Sequence, residues 1–159
     1  MPVTLSGSTG LVLNSSSQSA KGFAGQVVTV DIAARYTLSS TSFAAFGPTL
    51  SITPKKSTSA ILIMCTLSME VPYTLFTFFR NGSDVLSFIP EHTAARSGIK
   101  TWGAGTRWMN YNISWLDYPG TTSSVTYQLA GKMNSGTALF NDYAGDNKSQ
   151  LIAIEMMGE

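Results

Sequence analysis

Two runs decide the fold: Ala60-Ile61-Leu62-Ile63-Met64-Cys65-Thr66-Leu67-Ser68-Met69 and Tyr73-Thr74-Leu75-Phe76-Thr77-Phe78-Phe79-Arg80. Both are short and rich in β-branched and aromatic residues, and turn residues flank them, Pro54-Lys55-Lys56 before the first and Asn81-Gly82 after the second. That combination reads as strands. In the first run Ile61, Ile63, Cys65 and Leu67 alternate with Leu62, Met64, Thr66 and Ser68. In the second, Tyr73, Leu75, Thr77 and Phe79 alternate with Thr74, Phe76, Phe78 and Arg80. An isolated antiparallel sandwich hides one face of each sheet and wets the other. Here the second face is apolar as well, at Leu62, Met64, Phe76 and Phe78. Monomers avoid exposing such a patch. These four residues are therefore read as an oligomer interface, covered by another copy of the chain in a symmetric assembly. Coverage by the N-terminal segment or by the loop 90–105 is the alternative.

Outward from these runs, strand signals recur about every ten residues: 26–38, 43–52, 60–69, 73–80, 85–89, 107–116, 123–131, 137–140 and 151–156. Turn chemistry separates many of them, at Gly47-Pro48, Pro54, Asn81-Gly82-Ser83-Asp84, Asp117-Tyr118-Pro119-Gly120, Asn134-Ser135-Gly136 and Gly145-Asp146-Asn147. About nine short strands with turns between them predict an all-β, antiparallel sandwich or barrel. Asn81-Gly82 is the strongest hairpin signal, because both residues tolerate positive φ. No segment carries a helical period with caps; 90–96 is long enough for one turn within a loop. Residues 1–22, with Asn14-Ser15-Ser16-Ser17-Gln18-Ser19, cannot bury enough surface to fold alone. They are read as an extended attachment segment, and 23–159 as the head domain.

The composition narrows the function. Charged residues are 12% of the chain, about half the usual share, and serine and threonine make up about a quarter. The formal net charge is +1 and the basic residues are scattered, so the stripe that neutralises nucleic-acid phosphates is missing. No apolar stretch approaches the roughly 20 residues that span a membrane as a helix. The N-terminus has neither the basic region nor the apolar core of a signal peptide. One cysteine, Cys65, permits no intrachain disulfide and fits folding in a reducing cytoplasm.

Few residues of the chain suit catalysis. Cys65 lies in an apolar run and reads as a small buried hydrophobe, and the single histidine, His92, is its only conceivable base. The carboxylates fall mostly at turns and strand ends, where solvated or hydrogen-bonding roles are expected. Glu91-His92 is a lone pair, whereas zinc takes three or four ligands. Asp142, Asp146 and Asn147 are the one loop with the donors for calcium. No metal, cofactor or catalytic set is assigned, and the chain is read as a non-enzyme.

Trp102, Trp108, Tyr111, Trp115 and Tyr118 concentrate the aromatic residues. On a strand 107–116, Met109, Tyr111, Ile113 and Trp115 share the core face. Trp108, Asn110, Asn112, Ser114 and Leu116 share the other. Tryptophan beside amides suits a sugar surface, so Trp108, Asn110 and Asn112 are read as a receptor or glycan contact, with packing in a subunit interface as the rival.

The order of motifs resembles a known family. Gly25-Gln26-Val27-Val28 opens a strand, followed by Tyr36-Thr37-Leu38-Ser39-Ser40-Thr41-Ser42-Phe43. Leu50-Ser51-Ile52-Thr53-Pro54-Lys55-Lys56-Ser57-Thr58-Ser59-Ala60-Ile61-Leu62-Ile63, Phe79-Arg80-Asn81-Gly82-Ser83-Asp84 and Leu116-Asp117-Tyr118-Pro119-Gly120 come next, and Ser149-Gln150-Leu151-Ile152-Ala153-Ile154-Glu155-Met156 closes. This series is similar to the C-terminal domains of tail-fibre and related virion proteins of tailed bacteriophages, especially environmental and cyanobacterial ones. The resemblance implies a β-sandwich of jelly-roll type, a homotrimer and a place on the virion after synthesis in the host cytoplasm. It supplies no catalytic residue. Such domains usually end a longer fibre, whereas about 22 residues precede this one. The expectation is a short tail fibre or tip that contacts a host glycan or protein and docks on another virion protein through residues 1–22. A capsid decoration or cement protein of the same fold is the alternative, and a polysaccharide depolymerase is the enzymatic rival.

Overall fold

Alternating β-branched and aromatic positions give thirteen strands and no helix among the described residues. The structure, a computed structural model, describes residues 4–6, 10–12, 24–70, 74–84, 99–100, 108–133, 136–141 and 149–157. β1 (Thr4–Ser6) and β2 (Gly10–Val12) pair with each other as a small antiparallel ladder. Both strands lie within the N-terminal segment 1–22.

The remaining strands run out along one arm and back along another. The outgoing arm holds β3 (Ala24–Ile32), β4 (Tyr36–Leu38), β5 (Ala44–Ile52), β6 (Ala60–Glu70) and β7 (Thr74–Arg80). The returning arm holds β8 (Ser83–Asp84), β9 (Ile99–Lys100), β10 (Trp108–Asp117), β11 (Val125–Met133), β12 (Ala138–Phe140) and β13 (Ser149–Met156). Each return strand pairs antiparallel with its outgoing counterpart: β8 and β9 with β7, β10 with β6, β11 with β5, β12 with β4 and β13 with β3. The double arm is then rolled, so that β13 and β12 also join β6, and β11 also joins β7. Two antiparallel sheets result. One reads β3-β13-β6-β10, extended at one end by β4 and β12; the other reads β5-β11-β7, with β8 and β9 along the far edge of β7. Nine strands of three or more residues make up these two sheets; seven fall where the sequence spacing predicts one, and the single strand expected over 26–38 is two, β3 and β4.

The core lies between the sheets. Ile61, Ile63, Cys65 and Leu67 from β6 meet Leu50, Ile52, Phe76, Phe78, Tyr127 and Leu129 from the facing sheet, all buried. Phe140 of the first sheet stacks on Phe46 of the second at 4.5 Å and meets Phe76 edge-on at 5.8 Å. Each such pair contributes about 1 kcal/mol beyond its buried area. Gly131 fits closely here, since a Cβ would stand 2.8 Å from Leu38 Cδ2 and 3.3 Å from the Leu75 carbonyl oxygen, so Leu38 would have to shift to admit one.

Two sequence expectations need correction. Phe76 and Phe78, assigned to an oligomer interface, are 0% and 1% exposed and belong to this inner face. Their cross-strand partners explain it: Phe76, Phe78 and Arg80 lie opposite Gly131, Leu129 and Tyr127 of β11, which face the other sheet. Gly47-Pro48 is no turn between strands but a bulge within β5. Three β5 residues (47–49) there oppose Gln128 alone, and Gln128 Nε2 donates to the Gly47 carbonyl at 2.7 Å. The Asn81-Gly82 hairpin forms as expected, with φ of 50° and 82°. The strand expected at 85–89, and the loop 90–98 and 101–107, lie outside the described residues.

Candidate functional site

The outer face of the β3-β13-β6-β10 sheet is built in rungs, because residues directly opposite on antiparallel strands share a face. The first rung is Val27–Ile154–Leu62–Leu116. The second is Thr29–Ile152–Met64–Ser114 and the third is Asp31–Gln150–Thr66–Asn112. The first rung is aliphatic from edge to edge, and its exposure is greatest at the two edges, 57% for Val27 and 42% for Leu116. Met64 beside it is 39% exposed. The third rung is polar and internally bonded. Gln150 Nε2 donates to Asp31 Oδ1 at 2.8 Å, and Thr66 Oγ1 donates to Asn112 Oδ1 at 2.8 Å.

The inner side of the same end is inverted. One residue along each strand from the aliphatic rung lies Gln26–Glu155–Ile61–Asp117, facing the core. Glu155 is fully buried. Its carboxylate accepts from Gln26 Nε2 at 2.9 Å and from the Lys55 backbone N–H at 2.6 Å. Burial works to raise its pKa. The Ser59 hydroxyl near it, the Gln26 amide and the backbone N–H groups of Lys55 and Lys56 outweigh that and hold it below the usual carboxylate range. Lys55 Nζ donates to the Gly25 carbonyl at 2.7 Å, so the β5–β6 turn is tied to β3 and β13 together.

Asp117 is the matching lock between sheets. Arg80 Nη1 stands 3.0 Å and 2.9 Å from its two oxygens, and Tyr127 Oη donates to Oδ2 at 2.7 Å. Burial, together with the Asp117 carboxylate, pushes the Tyr127 phenol well up, so it stays a neutral donor. Both buried carboxylates are thus engaged by donors of their own chain. Cys65, at the centre of β6, is 2% exposed, and burial pushes its thiol up to about 12, so it stays protonated at neutral pH.

The residues singled out from sequence come together only in part. Leu62 and Met64 lie on the outer face, whereas Phe76 and Phe78 do not. Asn110 and Asn112 are exposed on that same face, opposite Ser68 and Thr66. Trp108 opens β10 opposite Glu70, and its side chain lies outside the described residues. Tyr111, Ile113 and Trp115 turn toward the core, as the alternation predicts. His92, Glu91, Trp102, Asp142, Asp146 and Asn147 also lie outside the described residues. Among the described residues no three His, Cys, Asp or Glu side chains cluster as a metal site would require. Sequence reasoning placed Leu62 and Leu116 on outer faces but missed Val27 and Ile154 beside them, and Gln26, Arg80, Asp117 and Glu155 as buried polar anchors. Asp117 and Glu155 had a signal, since each falls in phase with the buried series at the end of its strand.

Comparison of the chain with protein-family models and with curated proteins finds no match.

Proposed function

We propose that this chain is a trimeric structural protein of a tailed-phage particle, a short tail fibre or tip whose sandwich head contacts the host surface. The observation that carries the reading is the aliphatic rung Val27–Ile154–Leu62–Leu116, left open on a sheet whose inner side at that end holds carboxylates. A face of that composition is built to be covered. The rolled double arm supports assigning the fold to the jelly rolls, an architecture of viral shells and lectins. The order of motifs along the chain, similar to that of phage fibre ends, supports placing it on a virion.

Self-assembly and host contact divide along the strands of this face. Asn112 lies four residues from Leu116, roughly 13 Å along β10. The aliphatic end serves the subunit contact. The polar end, with Asn110, Asn112 and the start of β10 at Trp108, serves a host glycan or protein. Residues 1–22 attach the head to another virion protein, and the head acts without catalysis.

The test combines mass in solution with location on the particle. A trimer at micromolar concentration, a tagged copy at the tail and blocked adsorption by antibody support the proposal. A tagged copy spread over the shell, with particles that break on heating when the protein is missing, would make it a cement protein instead. Release of reducing sugar from host envelopes would make it an enzyme.

A further inference from the structure

The aliphatic rung also carries information about how copies meet. Its two most exposed side chains are Val27 on the β3 edge and Leu116 on the β10 edge, at opposite ends of one rung. Across the three rungs the only charged side chain is Asp31, and Gln150 already bonds it. Such a face meets its own copy without opposing like charges. The edges differ in their protection. β5 carries a bulge with Pro48, and β8 and β9 are two residues long. β3 carries Asp31 and a register shift at its start. β10 keeps ten residues in unbroken register with β6, without proline, glycine or a charge before Asp117, and no other described strand pairs with it. Natural sheets blunt edges of that length unless something covers them.

Resting on the trimeric reading above, we infer that three copies close head to tail around a three-fold axis with the aliphatic ends of these outer faces turned inward and the polar ends at the open mouth of the ring. The β3 edge of one copy lies against the β10 edge of the next, and Val27 meets the partner's Leu116. A heterologous contact of this kind closes into a ring when its rotation allows. The dimensions select three. Four strands spaced roughly 4.8 Å apart make a face about 19 Å wide, so three faces set as a triangle stand about 5.5 Å from the axis. Facing sheets pack about 10 Å apart, which is about 5 Å for each side-chain layer. Three faces therefore fill the middle with their own side chains. Four would stand about 9.5 Å from the axis and enclose an empty lumen.

Cysteine cross-linking of the full chain tests this, because the native Cys65 is buried and both target positions are exposed. Val27→Cys, Leu116→Cys and the double variant are oxidised and run on a denaturing gel without reductant, beside a native mass measurement on each. The expected result is a covalent trimer from the double variant and monomers from each single one. Covalent dimers from either single variant, or a double variant that stops at dimer, overturn the head-to-tail ring. So does a native trimer whose double variant stays uncross-linked; in that case the trimeric reading survives and the edge pairing alone fails. A native monomer removes both.

Discussion

Replacing Asp117 by alanine is expected to cost about 4 kcal/mol. The carboxylate holds Arg80 Nη1 at 3.0 Å and 2.9 Å and receives the Tyr127 hydroxyl at 2.7 Å. The side chains of Arg80 and Asp117 are 13% and 7% exposed, so little water is present to replace what is lost. Breaking one partner of a buried ion pair costs about 3–5 kcal/mol, because the remaining charge stays desolvated. Arg80 sits at the lower end of that range, since it keeps the Tyr118 carbonyl at 3.4 Å and some solvent. Stranding the buried Tyr127 hydroxyl adds about 1 kcal/mol. Urea unfolding at one fixed protein concentration measures the change, because an oligomer's stability depends on concentration. With a slope of about 2 kcal/mol per molar, the midpoint falls by about 2 M. The triple variant Arg80→Met, Asp117→Leu, Tyr127→Phe separates the penalty of broken partners from the worth of the cluster. It should return to within about 1 kcal/mol of the wild type, as apolar replacements of buried ion pairs do. If Asp117→Ala costs under about 1 kcal/mol, or the triple variant is no better than the single, the cluster is not a desolvated lock between the sheets.

Glu155 gives an acid-side prediction. Its folded pKa lies below the ordinary value of 4.5, so its contribution is complete at neutral pH and is lost as pH falls from that value through the folded one. Glu155→Gln should flatten the acid limb of a stability-against-pH curve and cost about 1–3 kcal/mol at pH 7, where an amide NH2 would face the Lys55 and Gln26 donors; parallel limbs in the two proteins would refute the assignment. On the alkaline side the Cys65 thiol moves from 9.0 up to about 12, so stability is complete below pH 9 and declines above it, by about 1 kcal/mol between pH 9 and 10. Cys65→Ala should remove that decline, while the one from Tyr127 begins only above the ordinary phenol value of 10.0. Phe76→Ala should cost about 3–5 kcal/mol by leaving a cavity beside Phe46 and Phe140, whereas Met64→Ala on the outer face should alter oligomer mass with little change in monomer stability. A small effect of Phe76→Ala on unfolding would return that side chain to the surface.

The strands were legible because turn residues punctuate alternating runs, and the Asn81-Gly82 hairpin was legible because its backbone demands those residues. The phase of Tyr73–Arg80 was not. Leu75 and Phe79 on one parity balance Phe76 and Phe78 on the other, so alternation alone cannot say which set faces inward. The answer lies on another strand: β11 presents Tyr127, Leu129, Gly131 and Met133 to the core, and ladder register hands that face to Arg80, Phe78, Phe76 and Thr74. The run through Ile61, Ile63, Cys65 and Leu67 did declare its phase, because threonine and serine interrupt only the opposite parity. Gly47-Pro48 misled for a local reason, since a bulge and a turn ask for the same residues. The exposed rung was half visible, as Leu62 and Leu116, each read on the second face of its strand. Val27 and Ile154 could not be read, because nothing local says that the four will be neighbours.

That scattering has a kinetic consequence. The rung draws on β3, β6, β10 and β13, whose residues 27, 62, 116 and 154 span nearly the whole head. β3 finds β13 only after the arms have doubled back, and pairings so distant in sequence form slowly. The aliphatic surface therefore does not exist as a surface on a partly folded chain. Only a subunit with its sheet complete presents four aliphatic side chains in line, with Glu155 and Asp117 already locked behind them. Assembly should follow folding. Refolding monitored by Trp115, which packs against the core, should be independent of protein concentration, and a later concentration-dependent phase should bring in the oligomer. If the Trp115 phase itself accelerates with concentration, the chains meet before the rung is built, and the subunit contact lies elsewhere.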